Sequence, residues 1–117
     1  MKTVYICSPL GGDVPGNIER AKQYAHYALT CGTAPVVPHF YALILDDNDP
    51  QERKLGLGAG LAVLESCDEL WVFGERISKG MQGEIEAATE RGIPVQRFSF
   101  GEIQFGGDQS DEMQQTL

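Results

Sequence analysis

The chain has 117 residues, 42% of them hydrophobic and 22% charged, with a formal net charge of −8; that is one domain's worth of sequence, enough to bury a core without staples. The acidity is spread along it: Glu102, Asp108, Asp111 and Glu112 give residues 101–117 a charge of −4 with no Lys or Arg, and the first hundred residues carry the other −4. This argues against a nucleic-acid polymer, which needs clustered cations, but leaves a small phosphate ligand open.

No run is apolar enough to span a bilayer. Cys7, Cys31 and Cys67 match no zinc or redox spacing, so a reducing cytoplasm is the expected setting. Thr3–Cys7 alternates and is β-rich, a first strand, and Pro9-Leu10-Gly11-Gly12 interrupts it too soon for a signal peptide. Ser8–Gly16 reads as a loop. Asn17 is the expected cap of a first helix, with Ile18, Ala21, Ala25, Ala28 and Leu29 at helical spacing and Gly32 as its stop. Ala34–Val37 is a short buried strand closed by Pro38, and a loop with His39, Tyr41, Asp46 and Asp47 follows.

Asp49-Pro50-Gln51-Glu52 offers an Asp cap, Pro at the first position and Glu three residues after the cap. It predicts a second helix to about Ser66, with Leu57, Leu61 and Leu64 as its core face and Gly56 and Gly60 beside that face. Glu69–Phe73 is a third strand. Ser78 to Arg91 is a third helix, with Met81, Ile85 and Ala88 on one face and Gly92 as its stop. Ile93–Phe98 is a fourth strand. The tail from Gly101 is acidic and aperiodic, expected to be disordered or docked on a partner subunit.

Strands alternating with helices predict one domain over residues 1–100, a doubly wound Rossmann-like or flavodoxin-like α/β fold. Its parallel sheet has four to five strands with helices on both faces, ordered 2-1-3-4 if the chain reverses after the second strand. The switch point then lies between strands one and three, lined by the loop after Cys7 and the loop carrying Ser78.

The most informative stretch is Ser78-Lys79-Gly80-Met81-Gln82-Gly83-Glu84-Ile85. Each interior glycine costs a helix about 1 kcal/mol against alanine, so two in the first turns suggest a close approach to the backbone. Ser78 is either a plain cap or a hydroxyl aimed at a phosphate or sugar. Glu84 leans back toward the crevice because Cα–Cβ bonds tilt toward a helix N-terminus, whereas Glu86 points about 200° away and reads as surface. Tyr5 is a half-buried strand residue whose hydroxyl is a further candidate to reach that carboxylate. Ser8-Pro9-Leu10-Gly11-Gly12-Asp13 is neither a P-loop nor a dinucleotide fingerprint; taken alone it reads as a plain strand-to-helix turn, although its backbone N–H groups can cradle a phosphate. His39 with Asp46 and Asp47 is poor evidence for a metal, and a surface loop that lids the pocket is favoured. No metal or cofactor is expected. Gly56 and Gly60 either allow close helix approach, for example against a second subunit, or simply weaken the helix.

Over roughly residues 3 to 97 the pattern resembles the nucleoside 2-deoxyribosyltransferase family and its relatives that hydrolyse the N-glycosidic bond of nucleoside 5′-monophosphates, closest to a small branch of that superfamily. The residues that carry the resemblance are Cys67-Asp68-Glu69-Leu70-Trp71-Val72-Phe73-Gly74, then Ser78, Gly80 and Glu84-Ile85, with Tyr5 and the Ser8–Gly12 loop in agreement. It implies Glu84 as nucleophile at a sugar C1′ or stabiliser of an oxocarbenium-like transition state, oriented by Tyr5. It also implies that Ser8, Gly11, Gly12 and Ser78, with Gly80 and Met81 at the same helix start, hold a 5′-phosphate or 5′-hydroxyl, and that the chain forms a homodimer or larger homo-oligomer. One departure stands out. The family's acid, which assists the leaving base, registers near Gly60, and Gly56–Leu64 contains no acid; Asp46, Asp47, His39 and Asp13 are not at the matched place. The expected function is a hydrolase or transferase at the N-glycosidic bond of a nucleoside or nucleotide. The alternative is a nucleotide-binding module of the same fold without turnover.

Overall fold

The computed structural model describes residues 1–99, so the expectations placed on the tail from Gly101 lie outside the described residues. Chain order is β1 (Thr3–Cys7), α1 (Val14–Thr30), β2 (Ala34–Val36), a 3₁₀ turn (Pro38–Leu43), α2 (Pro50–Glu65), β3 (Glu69–Phe73), α3 (Lys79–Glu90) and β4 (Val95–Phe98). The strands form one parallel sheet in the order β2-β1-β3-β4, the doubly wound topology with its reversal between β1 and β3. Tyr5 pairs in register with Val36 on one side and Leu70 on the other, and Cys7 with Val72, so β1 is central.

Successive strand side chains point to opposite faces, and the core divides accordingly. Val4, Ile6, Trp71 and Phe73 pack with Tyr24 and Ala28 of α1. Tyr5, Cys7, Leu70 and Val72 pack with Leu64 of α2 and with Met81 and Ala88 of α3. One helix therefore covers one face and two cover the other.

Three boundaries and one face differ from the sequence expectation. α1 begins at Val14, capped by Asp13, whose carboxylate accepts from Gly16 N at 3.2 Å. Pro15 suits the first turn because its missing N–H is not needed there. Asn17 is thus inside the helix, and its side chain donates instead to the carbonyls of Leu10 and Gly11, at 2.9 Å each. β2 stops at Val36, and β4 starts only at Val95, after Pro94.

In α2 the expected core face is turned. The inward stripe is Gly56, Gly60 and Leu64, one turn apart: a Cβ on Gly56 would meet Leu45 and one on Gly60 the Tyr5 hydroxyl, both at 3.2 Å, while Leu64 is fully buried. Leu57 and Leu61 are each one residue further on, about 100° around the helix, and are 60% and 38% exposed. Phe40, Leu43, Ile44 and Leu55 are exposed as well. Gly56 and Gly60 admit groups of the same chain, Leu45 and Tyr5.

Candidate active site

The site sits where β1 and β3 end and α3 begins. α3 starts at Ser78 because its hydroxyl accepts from Met81 N at 3.2 Å, and the Met81 sulfur accepts weakly from Ser78 N at 3.4 Å. Met81 is buried and packs in the core, so its side chain cannot line a ligand surface; any contact with a ligand there falls to the backbone. Around Gly80 the space is open. Glu84, one further turn along, points back into the sheet end while Glu86 is exposed.

There the Tyr5 hydroxyl donates to Glu84 Oε2, and the Cys7 thiol donates to Glu84 Oε1 at 3.5 Å. Tyr5 and Cys7 are two residues apart on β1 and so share a face. That spacing was legible in the sequence, although it did not by itself identify Cys7 as a neighbour of the carboxyl. Gly60 completes the arrangement from α2, where a Cβ would stand a tight 3.2 Å from the Tyr5 hydroxyl.

Burial raises the Glu84 carboxyl above its ordinary value of 4.5, opposed by the hydrogen bonds from Tyr5 and Cys7. Burial, reinforced by the charge of Glu84, pushes both Tyr5 and Cys7 far up, which keeps them as neutral donors. A half-buried carboxyl held by two neutral donors and poised to ionise above the usual carboxylate range is suited to chemistry at an electron-poor carbon.

The other expected residues fall in separate places. Ser8 is buried and its hydroxyl lies 3.0 Å from His39 Nε2. His39 is 3% exposed, so it is not part of a solvated lid; it packs beneath the segment after β1, and desolvation lowers its pKa. Asp46 and Asp47 are exposed, and the Asp46 carboxylate accepts from Asn48 N within its own turn, while Glu52 accepts from Asp46 N. Gly11 and Gly12 are exposed with open space around them. Among the described residues no group of three or more His, Cys, Asp or Glu is placed to hold a metal ion, and no helix is long and apolar enough to cross a membrane.

A central parallel sheet with a half-buried carboxyl at its topological reversal makes this a doubly wound α/β protein. The chain belongs to a family described as a domain of unknown function (DUF7768), whose model matches residues 2–98. No curated protein matches it. Among solved structures, it is similar to a 2-deoxyribosyltransferase from the psychrotolerant bacterium Bacillus psychrosaccharolyticus. The TM-score is 0.70 at 18% identity, over 95% of this chain and 90% of that one. It is also similar to a conserved protein from Enterococcus faecalis V583, with a TM-score of 0.61 at 21% identity, over 99% of this chain and 74% of that one. At these identities the likeness is one of fold.

Proposed function

We propose that this protein acts on the N-glycosidic bond of a nucleoside or nucleoside monophosphate, with Glu84 at the sugar C1′. The observation that carries the reading is the carboxyl of Glu84, half-buried at the sheet reversal and held by Tyr5 and Cys7. The fold shared with a 2-deoxyribosyltransferase supports the substrate class. In this reading the ionised carboxylate forms a bond to C1′ as the C1′–N bond breaks. The electron pair leaves with the base, which takes up a proton, and water or a second base then releases the sugar from Glu84. Tyr5 holds the carboxylate in one orientation. Ser78, Gly80, Gly11 and Gly12 border the sugar's 5′ side.

A panel of nucleosides and nucleoside monophosphates incubated with the protein is expected to yield free base, and Glu84→Ala to yield none. Intact substrates throughout, at high protein concentration, would refute the enzyme.

The second reading is a nucleotide-binding module without turnover. Gly60 favours it: α2 brings no carboxylate to the Tyr5 hydroxyl, where the resemblance places the acid that assists the leaving base. Loss of such an acid costs about 10²–10⁴ in rate. Saturable binding of a nucleotide with no base release would select this module.

The working form in our reading is a homo-oligomer joined through exposed apolar side chains of residues 40–61. Six large apolar side chains exposed within 22 residues support it. Sedimentation is expected to give a dimer or larger for the wild type and a monomer for Leu57→Glu combined with Leu61→Glu. A monomeric wild type would contradict it.

A further inference from the structure

The Glu84 carboxyl is held by two donors of unequal strength, one on each oxygen. The Tyr5 hydroxyl donates to Oε2, and the Cys7 thiol donates to Oε1 at 3.5 Å. A hydroxyl on a carboxylate makes a strong, charge-assisted bond, whereas a thiol is a weak donor. Oε1 therefore keeps more of its electron density free than Oε2 does. It is also the oxygen beside Cys7, the last residue of β1, and ligands of a doubly wound sheet bind beyond the carboxyl ends of its strands. Tyr5 lies two residues deeper, and its hydroxyl, on Oε2, is the group that a Cβ on Gly60 would crowd.

The thiol proton has a second acceptor. The Cys7 sulfur lies 3.9 Å from the Met81 carbonyl, in the first turn of α3. A carbonyl oxygen carries two lone pairs, so it can accept a further bond besides the one from its own helix. One S–H thus stands between a carboxylate at 3.5 Å and a neutral carbonyl at 3.9 Å. While Glu84 is ionised, charge and distance both favour the carboxylate. Once Oε1 gives an electron pair to another atom, rotation about the Cβ–Sγ bond brings the proton to the carbonyl. The Tyr5 hydroxyl has no such alternative among the described residues. Cys7 is fully buried, and burial beside the Glu84 carboxyl keeps its thiol protonated, so it serves as a donor and not as a nucleophile.

We propose that Cys7 is a positioning residue that presents Glu84 Oε1 as the attacking oxygen and then releases it, its S–H turning to the Met81 carbonyl as the bond to C1′ forms. This rests on the reading of Glu84 as the sugar-facing carboxylate. In that step an Oε1 electron pair becomes the Oε1–C1′ bond, the C1′–N pair leaves with the base, and the thiol proton stays on sulfur throughout. Oε2 becomes the carbonyl oxygen of the resulting ester and keeps its bond from Tyr5. A weak donor on the attacking oxygen is released at little cost. A strong donor on the other oxygen holds the group's orientation before and after attack.

The S–H stretch in the infrared gives a readout that needs no turnover. In the full chain carrying Cys31→Ala and Cys67→Ala, the remaining S–H band belongs to Cys7. A stronger acceptor weakens an S–H bond, so the band is expected to move to lower frequency as pH rises through the raised value at which Glu84 ionises. In Glu84→Gln it is expected to stop moving with pH. Tyr5 and Cys7 are the groups bonded to that carboxyl, and both stay protonated over this range, so the band follows Glu84 alone. A band that ignores the titration of Glu84 would overturn the contact on which the inference stands.

Single-turnover release of base, from a nucleoside or nucleoside monophosphate that the wild type cleaves, tests the release of Oε1. Cys7→Ser is nearly isosteric but puts a stronger donor on that oxygen. The acidic limb of its rate profile is expected to move to lower pH, while the plateau above the limb falls by roughly tenfold or more. Cys7→Ala has no donor to release, so its limb moves to higher pH and its plateau stays above that of Cys7→Ser. A thiol that only fills space would give the opposite order, with serine the milder change and the limb unmoved in both. A Cys7→Ser plateau at or above that of Cys7→Ala, with base release still dependent on Glu84, would overturn the inference and leave the glycosidic reading standing. No base released from any substrate by the wild type would remove that reading and the inference with it.

Discussion

The two faces of the sheet are built from the same strands but hold different contents. On the α1 face the strands contribute aromatic rings that close on one another. Tyr24 stacks on Phe73 at 4.6 Å, Phe73 on Phe98 at 5.1 Å, and Trp71 lies against Phe98 at 4.8 Å. The polar group on that face, Glu69, is fully engaged: Trp71 Nε1 and Gln96 Nε2 donate to Oε1 at 2.9 and 3.0 Å, and Lys2 to Oε2 at 2.5 Å. The α2/α3 face instead holds three titratable groups, buried Tyr5 and Cys7 and half-buried Glu84, beside a helix whose inward stripe includes two glycines. The first face is arranged for stability, and the second gives up packing and solvation for a carboxyl held at one end of the sheet.

Substitutions on the two faces are expected to move different observables. Phe73→Ala should have the largest effect on folding, a loss of about 3–5 kcal/mol in urea denaturation, out of a total of about 5–15 kcal/mol for an ordinary domain. Glu69→Ala leaves the buried Trp71 Nε1 without its acceptor and is expected to cost about 1–3 kcal/mol. Hydrogen bonds from Lys2 and Trp71 hold the Glu69 carboxyl below its ordinary value, so its contribution is present at neutral pH and is lost as pH falls through that depressed value.

Glu84 behaves in the opposite sense. Its carboxyl is raised, so the folded chain binds more protons than the unfolded one just above pH 4.5. The stability this group contributes is complete below that pH and is lost as pH rises through the raised value. Glu84→Gln is therefore expected to stabilise the chain at pH 7, by about 1 kcal/mol, seen as a higher thermal midpoint. A lower midpoint would mean the carboxylate is a structural ion, like Glu69.

Tyr5→Phe removes a donor that favours ionised Glu84. The acidic limb of the rate profile is expected to move to higher pH, and Cys7→Ala to move it the same way by less. The smallest effect is expected from Gly60→Ala, whose Cβ would press the Tyr5 hydroxyl aside by a few tenths of an ångström. A several-fold loss of rate with little change in stability is predicted.

Much of this contrast was legible in the sequence. β1 and β3 read to the residue because five-residue apolar strands between turn signals have few alternative registers, and Ser78 and Asp49 are strong caps. The alternation of strand and helix gave the sheet order. α2 misled because leucines at helical spacing look the same whether they face a core or an outer surface, and here glycines occupy the inner stripe. Asn17 resembles a cap in the sequence because the start set by Asp13 and Pro15 lies inside an apparent loop. His39 reads as a surface-loop residue in the sequence because its burial depends on the segment after β1.

The most direct test of the division between the faces is a paired measurement on Glu84→Gln, calorimetric affinity for a nucleoside monophosphate and single-turnover release of its base. The predicted result is affinity near that of the wild type with release slowed by about 10³-fold. Release at the wild-type rate would contradict the assignment of chemistry to this carboxyl.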